Sequence, residues 1–366
     1  MPDLVDGLFR NIPSGVGSHR RDLKLSQHEL RRVLEQGAAW AVAQGYGTAR
    51  DLEHIEENGR LSGAQPEAVS ARALERGRPQ LGSLGSGNHF VEVDYVAEVY
   101  DAEVAQALGL FPDQIAITIH TGSRGLGYQV CDDALQVMQK ATVKYGIAVP
   151  DRQLCCAPLT SPEAHEYIGA MYGAANFAFA NRQLITHKVR ETFEEILQRA
   201  PRDVRIEVIY DVCHNIGKFE THLVEGRPRR LCVHRKGATR ALPPGHPQIP
   251  EVYRHLGQPV LVPGDMGRYS YVLIGTQQGS AETFASSCHG AGRLMSRTQA
   301  KKTARGRAIV RELEDRGIYV RSAGRATLME EIPEAYKDVS EVVDVVHGAG
   351  ISKKVAQLRP LGVIKG

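Results

Sequence analysis

Two periodicities alternate along the chain. Between Ser26 and Gly45, Leu30, Val33, Leu34, Ala38 and Ala41 recur at the three- to four-residue spacing that gathers side chains on one face of a helix. Ser26 and Glu29 begin it as a capping box, each side chain serving the other residue's free backbone N–H, and Gly45 ends it. Pro66 to Arg76 predicts a second, short helix that opens on proline and closes at Gly77. Residues 125–145 and 161–199 also read as helices. The later one is rich in Ala and aromatic residues (Met171, Tyr172, Phe177, Phe179), the mark of internal packing. Arg297 to Arg311 predicts a basic helix, and Val342, Val345 and Val346 an amphipathic one.

Elsewhere the period is two. His89, Val91 and Val93 share one face of a strand, and Phe90 and Glu92 take the other. Ile115, Ile117 and Ile119 alternate with Ala116, Thr118 and His120, so His120 leaves the strand's end on the face opposite the isoleucines. Extended segments follow at Val204 to Val212, on both sides of Glu225-Gly226-Arg227-Pro228-Arg229, at Gln258 to Pro263, and in a last strand ending Gly362-Val363-Ile364-Lys365-Gly366. Residues 1–25 read as a turn-rich connector around Pro13 to Ser18. Strands mixed with helices of unequal length, without an internal repeat, predict an α+β fold. One large domain over residues 1–366 is expected, with mixed or antiparallel sheets and surrounding helices.

Composition narrows the class. A chain of 366 residues with 42% hydrophobic and 24% charged residues is globular, not disordered. A net charge of +3 is too small for bulk attraction to a polyanion, so nucleic-acid affinity has to come from local clusters of Arg and Lys. Cys131, Cys155, Cys156, Cys213, Cys232 and Cys288 are scattered without a C-x-x-C pair and read as reduced thiols. No apolar run reaches bilayer length, so a soluble cytoplasmic protein with no membrane partner is expected.

The chemistry concentrates on histidines bordered by small residues. In Ser286-Ser287-Cys288-His289-Gly290-Ala291-Gly292-Arg293, glycines allow close backbone approach to a ligand, and the helix-like run Leu294 to Lys302 follows. A phosphate against that helix start would face His289, whose neutral imidazole is nucleophilic enough to form a phosphoramidate. His89, His120 and His214 stand at strand ends. Each alone reads as a packing residue. Together they are a ligand set for a divalent cation, zinc by ligand type, or manganese if carboxylate or water completes the shell. Arg124, Arg235, Lys236, Arg240, Arg268 and Arg293 lie in nearby glycine-containing loops, a pattern suited to phosphate.

The ordered motifs Gly85-Ser86-Gly87-Asn88-His89-Phe90, His120-Thr121-Gly122-Ser123-Arg124-Gly125, His214-Asn215, His234-Arg235-Lys236-Gly237-Ala238-Thr239-Arg240, Pro263-Gly264-Asp265-Met266-Gly267, His289-Gly290-Ala291-Gly292-Arg293 and Gly362-Val363-Ile364-Lys365-Gly366 cover nearly the whole chain. This set resembles the RtcB-type RNA-splicing ligases. The resemblance implies that family's own fold and a GTP- and manganese-dependent joining of RNA 2′,3′-cyclic phosphate or 3′-phosphate ends to 5′-hydroxyl ends. By position it implies His289 as the guanylylated residue and His89, His120 and His214 as manganese ligands. Asn88, Asn215 and Ser270 would contact the guanylate, and Glu92, Tyr336 and Lys365 the guanine base, with Asp265, Gly290, Gly292 and Arg293 in the same nucleotide site. Expected partners are GTP and RNA from tRNA halves or damaged transcripts, with room for an activating accessory protein. The family pattern begins with a further Asp-x-x-Cys-Gly segment that supplies two more metal ligands, and this chain starts downstream of it. The chain is therefore expected to be incomplete at its N-terminus relative to the family. Two other readings stay open: a metal phosphoesterase that opens cyclic phosphate ends, and an inactive RNA-binding relative.

Overall fold

A computed structural model describes residues 1–20 and 22–366. Its strands are β1 (Phe90–Val99), β2 (Ile115–His120), β3 (Asn215–Val224), β4 (Arg227–Lys236), β5 (Ala238–Arg240), β6 (Pro259–Val262), β7 (Ser270–Gly275), β8 (Ser286–Cys288), β9 (Tyr319–Ser322) and β10 (Ser352–Lys365). The main sheet runs β2-β1-β10-β7-β6, antiparallel throughout, with β9 added parallel to the end of β10. β3 pairs with β4 and β5 with β8 in two smaller antiparallel sheets. The expected α+β class with mixed, mainly antiparallel sheets and surrounding helices is the observed one.

The period-two pattern decides what each face of the sheet meets. Val91, Val93 and Ile364 are buried and Ile117 and Ile119 half-buried, all packed against Leu4, Val5 and Leu8 of an N-terminal helix and Ile185, Val189 and Phe193 of the long helix Pro162–Leu197. On the other face Phe90, Val363 and Val320 pack against Met266, Ala300, Ile309, Leu313, Leu328 and Ile332. The long helix starts at Ser161, whose hydroxyl accepts from the Ala164 N–H, with proline in its first turn. Its middle is enclosed: Phe177, Phe179 and Ala180 have no accessible surface, which is why its apolar residues are not confined to one stripe.

Several expected elements differ. Residues 1–25 include a helix, Pro2–Asn11, whose buried Leu4, Val5 and Leu8 hold it to the sheet. The helix from Ser26 does not run on to Gly45. It breaks at Gly37 (φ +57°), where an added Cβ would sit 2.1 Å from the Gly59 carbonyl oxygen, and resumes as Ala38–Ala43. Pro66 to Arg76 divides into a single 3-10 turn, Pro66–Ala68, and a helix, Ala71–Gly77. Val204 to Val212 is not a strand. Its carbonyls meet side chains instead of a neighbouring strand: Arg190 Nε donates to Ile206 O at 2.9 Å, Tyr253 Oη donates to Ile209 O, and only Asp211 makes a bridge, to Ile55. The basic run is cut in two, Arg297–Thr303 and Ile309–Glu314, with Gly306 at φ +82° between them.

Candidate active site

Cross-strand register brings the site together. Phe90 stands opposite His120 on one side and Lys365 on the other, a single row over β2, β1 and β10. The Phe90 ring meets His120 edge-on at 5.4 Å between centroids, and the Lys365 ammonium lies 5.5 Å from the same ring. His120 thus leaves the sheet on the face away from the isoleucines, as the alternation requires.

Four histidines converge there. His289 stacks on His214 with centroids 3.7 Å apart and planes at 9°, and its Nε2 is 3.3 Å from His120 Nε2. His120 and His214 are 5.2 Å apart, and His89 stands 6.0 Å from His120 on the outer side. Nitrogens of His120, His214 and His289 all lie within 4.8 Å of one another. His89 is the expected ligand outside that group, its Nδ1 facing the Thr121 hydroxyl at 3.4 Å.

Burial keeps these imidazoles neutral. It brings His89 down to about 3, with the Arg124, Lys365 and Arg182 cations adding to the shift. Burial also takes His214 to about 2, joined by repulsion from His289 and Arg182, and pushes His120 well below the ordinary range, joined by the other three rings. His289 falls to about 4, chiefly by burial; the nearby Leu261 carbonyl opposes the shift without meeting hydrogen-bond geometry, and Nδ1 stays buried without a partner. Neutral rings present lone pairs, so His120 and His214 fit one divalent cation, with His289 near enough either to complete the set or to keep its lone pair for a substrate. A second ion would need donors beyond these.

The loops carrying the histidines are pinned by the middle of the long helix. Asn181 Oδ1 accepts from the Gly82 and Ser83 N–H groups at 2.7 and 3.1 Å, and its Nδ2 donates to Ser83 O at 3.2 Å and Gly122 O at 3.0 Å. Arg182 Nε donates to Asp211 Oδ1 at 2.7 Å and Nη1 to Thr121 O at 3.1 Å. Two successive residues therefore tie the turn before His89, the turn after His120 and the segment before His214. Sequence reasoning passed them over, although Asn181-Arg182-Gln183 is a polar triplet inside an otherwise apolar stretch.

A second cluster of side chains adjoins the histidines through Phe90 and Lys365. The Arg293 guanidinium lies 4.8 Å from the Tyr336 ring centroid, donates to Tyr336 Oη at 2.8 Å and Glu331 Oε1 at 3.2 Å, and Tyr336 Oη also donates to Glu331. Lys365 is buried and its pKa lowered by that burial, while Glu331, Glu92 and Asp265 oppose the loss of charge. Glu92 and Asp94 project from the same face of β1. Burial raises both carboxyls, and for Glu92 the neighbouring Asp94 adds to it. Glu331 and Asp94 had no sequence signal. Asp265 Oδ1 accepts from Gly267 N–H at 3.0 Å, Ser270 Oγ from Gly264 N–H at 3.1 Å, and Asn215 Oδ1 from Gly237 N–H at 3.0 Å. Asn88 is exposed. Gly290 follows His289, and the Gly292 carbonyl accepts from Lys337 N–H at 3.0 Å.

Three sequence expectations are corrected. His289 is not at a helix start: Leu294 and Met295 donate to Ala335 O at 2.8 and 3.2 Å, and the next helix begins only after its Ser296 cap. No helix dipole therefore faces that histidine. Arg235 and Arg240 do not offer free guanidinium groups to phosphate. Arg235 grips Glu220 at 2.6 and 2.8 Å, and Arg240 is buried against Glu56 and Glu57 at 3.4 and 2.9 Å.

The whole chain, residues 1–366, matches the family described as tRNA-splicing ligase RtcB. A protein of that name from Thermococcus kodakarensis is 57% identical over 364 residues, covering 100% of this chain and 75% of the relative. Those from Archaeoglobus fulgidus (56% over 363 residues; 99% and 75%) and Methanococcus maripaludis (50% over 366; 100% and 76%) are similar to it in the same way. The family match and these relatives define the class as RNA ligase. The chain belongs to the tRNA-splicing ligase RtcB family. Among the described residues no helix is long and apolar enough to cross a membrane.

Proposed function

We propose that this chain joins RNA ending in a 2′,3′-cyclic phosphate or 3′-phosphate to RNA beginning with a 5′-hydroxyl, using GTP as co-substrate and a guanylate carried on His289, with residues 1–366 acting as one catalytic domain. The observation that carries the reading is the contact of neutral His289 with His214 and His120 inside one cluster. Manganese held by His120 and His214, with His89 beside them, would neutralise charge on the phosphates. The chain's own residues do the rest. Stacking against His214 fixes the plane of the His289 ring, and burial leaves its lone pair free to bond the α-phosphorus of GTP as the bond to pyrophosphate breaks. A 2′,3′-cyclic phosphate first takes up water, which breaks its P–O2′ bond and leaves a 2′-hydroxyl and a 3′-phosphate; the RNA 3′-phosphate then takes the guanylate from the imidazole, and the 5′-hydroxyl displaces GMP to close the phosphodiester. Tyr336, backed by Arg293, stacks on guanine; Glu92, its carboxyl raised by burial and by neighbouring Asp94, meets the polar edge of the base, and Lys365 lies beside it. Asn88, Asn215, Asp265, Ser270 and the Gly290 to Arg293 turn line the rest of the guanylate site.

Incubation with radiolabelled GTP and manganese is expected to leave acid-labile label on the protein, and His289→Ala to abolish it. Equal labelling of that variant would end the proposal. Release of a 3′-phosphate from cyclic ends, without joining in the presence of GTP, would favour the phosphoesterase reading instead.

A further inference from the structure

Two buried carboxyls meet on β1. Phe90, Glu92 and Asp94 leave the strand on one face, since alternate residues share a face and the register with β2 is unbroken from Phe90 to Tyr95. Asp94 has 0% and Glu92 3% of its surface accessible, so of the two only Glu92 keeps an edge that a ligand can touch. The side chains are close enough to hydrogen-bond to each other. Burial and mutual repulsion both oppose a second negative charge in such a place, so one proton lies between them.

The surroundings decide which carboxyl holds that proton. Thr118 Oγ1, from β2, donates to Asp94 Oδ2 at 2.8 Å, a bond that favours the ionised form of Asp94. Asp94 Oδ1 is sealed from solvent and, among the described residues, accepts from no donor. Leaving a buried acceptor unpaired is costly, and the Glu92 carboxyl beside it can supply the missing hydrogen. The charged groups facing Glu92 agree: burial and Asp94 raise its pKa, Lys365 from β10 opposes them, and Asp265, ahead of β7, adds to the rise. Glu92 is therefore the protonated partner, and its hydroxyl donates to Asp94 Oδ1.

The direction of that hydroxyl matters to a base. A neutral carboxyl free to turn offers a donor and an acceptor side by side, which matches the 6-amino group and N1 acceptor of adenine. With its hydroxyl spent on Asp94, Glu92 offers an acceptor alone. This matches the N1–H and 2-amino groups of guanine and leaves adenine N1 without a donor.

We propose that Asp94 is a positioning residue for base selectivity: its carboxylate takes the hydrogen of the Glu92 carboxyl, so that the other Glu92 oxygen faces the base as an acceptor only and favours guanine over adenine. The proposal rests on the ligase reading.

The test measures binding of GTP and ATP analogues with an uncleavable α,β-bridge, with manganese, to the full chain and to Asp94→Ala and Asp94→Asn. Calorimetry is done at about pH 8, above the value of about 7 to which burial raises Asp94, so that this carboxyl is ionised in wild type. Asp94→Ala removes the acceptor and releases the Glu92 hydroxyl, and the preference for the GTP analogue is expected to fall about tenfold, the worth of one hydrogen bond. Asp94→Asn keeps an acceptor oxygen and is expected to hold the preference within about threefold of wild type. The ratio is taken within each protein, so a general loosening of the site cancels from it. Infrared spectroscopy reads the proton without a change at Asp94: the difference between wild type and Glu92→Gln is expected to contain the carbonyl stretch of a protonated carboxyl. An undiminished preference in Asp94→Ala, a preference lost as fully in Asp94→Asn, or a difference spectrum without that stretch overturns the role of Asp94. Guanylate formation from GTP is followed in parallel. If wild type forms none, the ligase reading fails and base selectivity falls with it; if guanylate forms while the analogue ratio is the same in wild type and Asp94→Ala, the role of Asp94 fails alone.

Discussion

Among single residues, Tyr336 offers a test that separates the proposed base recognition from metal binding. Its ring is backed by Arg293 at 4.8 Å and its hydroxyl is held by Arg293 and Glu331, so ring and hydroxyl are fixed from the protein side. Stacking of a base on an aromatic ring is worth about 1–3 kcal/mol, which is roughly five- to hundredfold in affinity. Tyr336→Ala is therefore expected to weaken GTP binding by that factor in calorimetry while manganese binding is unchanged; unchanged GTP affinity would remove Tyr336 from the base pocket. The histidines were legible because strand ends and glycine borders leave a mark on local sequence. Glu331, Asp94 and Arg182 were not, because each matters through partners distant in the chain: Tyr336 for Glu331, Thr118 Oγ1 at 2.8 Å for Asp94, Thr121 and Asp211 for Arg182.

For whole elements, the long helix does more than fill space. Asn176 and Asn181 are both buried and both spend their amides on backbone groups, Asn176 on Leu61 and Leu34, Asn181 on the turns beside His89 and His120. Removing either leaves buried backbone groups unpaired, at about 1–3 kcal/mol for each such loss. Asn176→Ala and Asn181→Ala should both lower the urea midpoint, but only Asn181→Ala should weaken manganese affinity in an EPR titration. Equal metal affinity in the two variants would contradict the pinning. Helix type and the β3–β4 hairpin were readable from periodicity and from the Glu225-Gly226 turn. Breaks were not: Gly37 interrupts a continuous apolar pattern because the Gly59 carbonyl approaches it, and Val204 to Val212 has strand composition without a strand to pair with.

Across the whole molecule, a buried ionic network joins distant parts. Glu56 has no accessible surface; its carboxylate meets Lys218 at 2.9 Å and Arg240 at 3.4 Å and accepts from Cys213 N–H at 3.1 Å. Burial would raise its pKa, but Lys218 and Arg240 overturn this and hold it at about 2. Because the folded value lies below the unfolded one, the contribution is complete above the ordinary value of 4.5 and is lost as pH falls from there through about 2. Urea midpoints are expected to drop between about pH 5 and 3, with a smaller drop in Glu56→Gln. At neutral pH that variant should be about 3–5 kcal/mol less stable, since Lys218 and Arg240 stay buried with less to balance them. A wild-type acid profile in Glu56→Gln would assign the acid loss to other carboxylates.

The position of β10 has a consequence for biosynthesis. This strand lies between β1 and β7, yet it is translated long after both. While the ribosome is still short of Ser352, β1 and β7 each expose a bare hydrogen-bonding edge, the kind of surface that recruits other nascent chains or chaperones. The row of Phe90, His120 and Lys365 closes only when β10 slots in, so catalytic competence arrives late and all at once instead of growing with the emerging polypeptide.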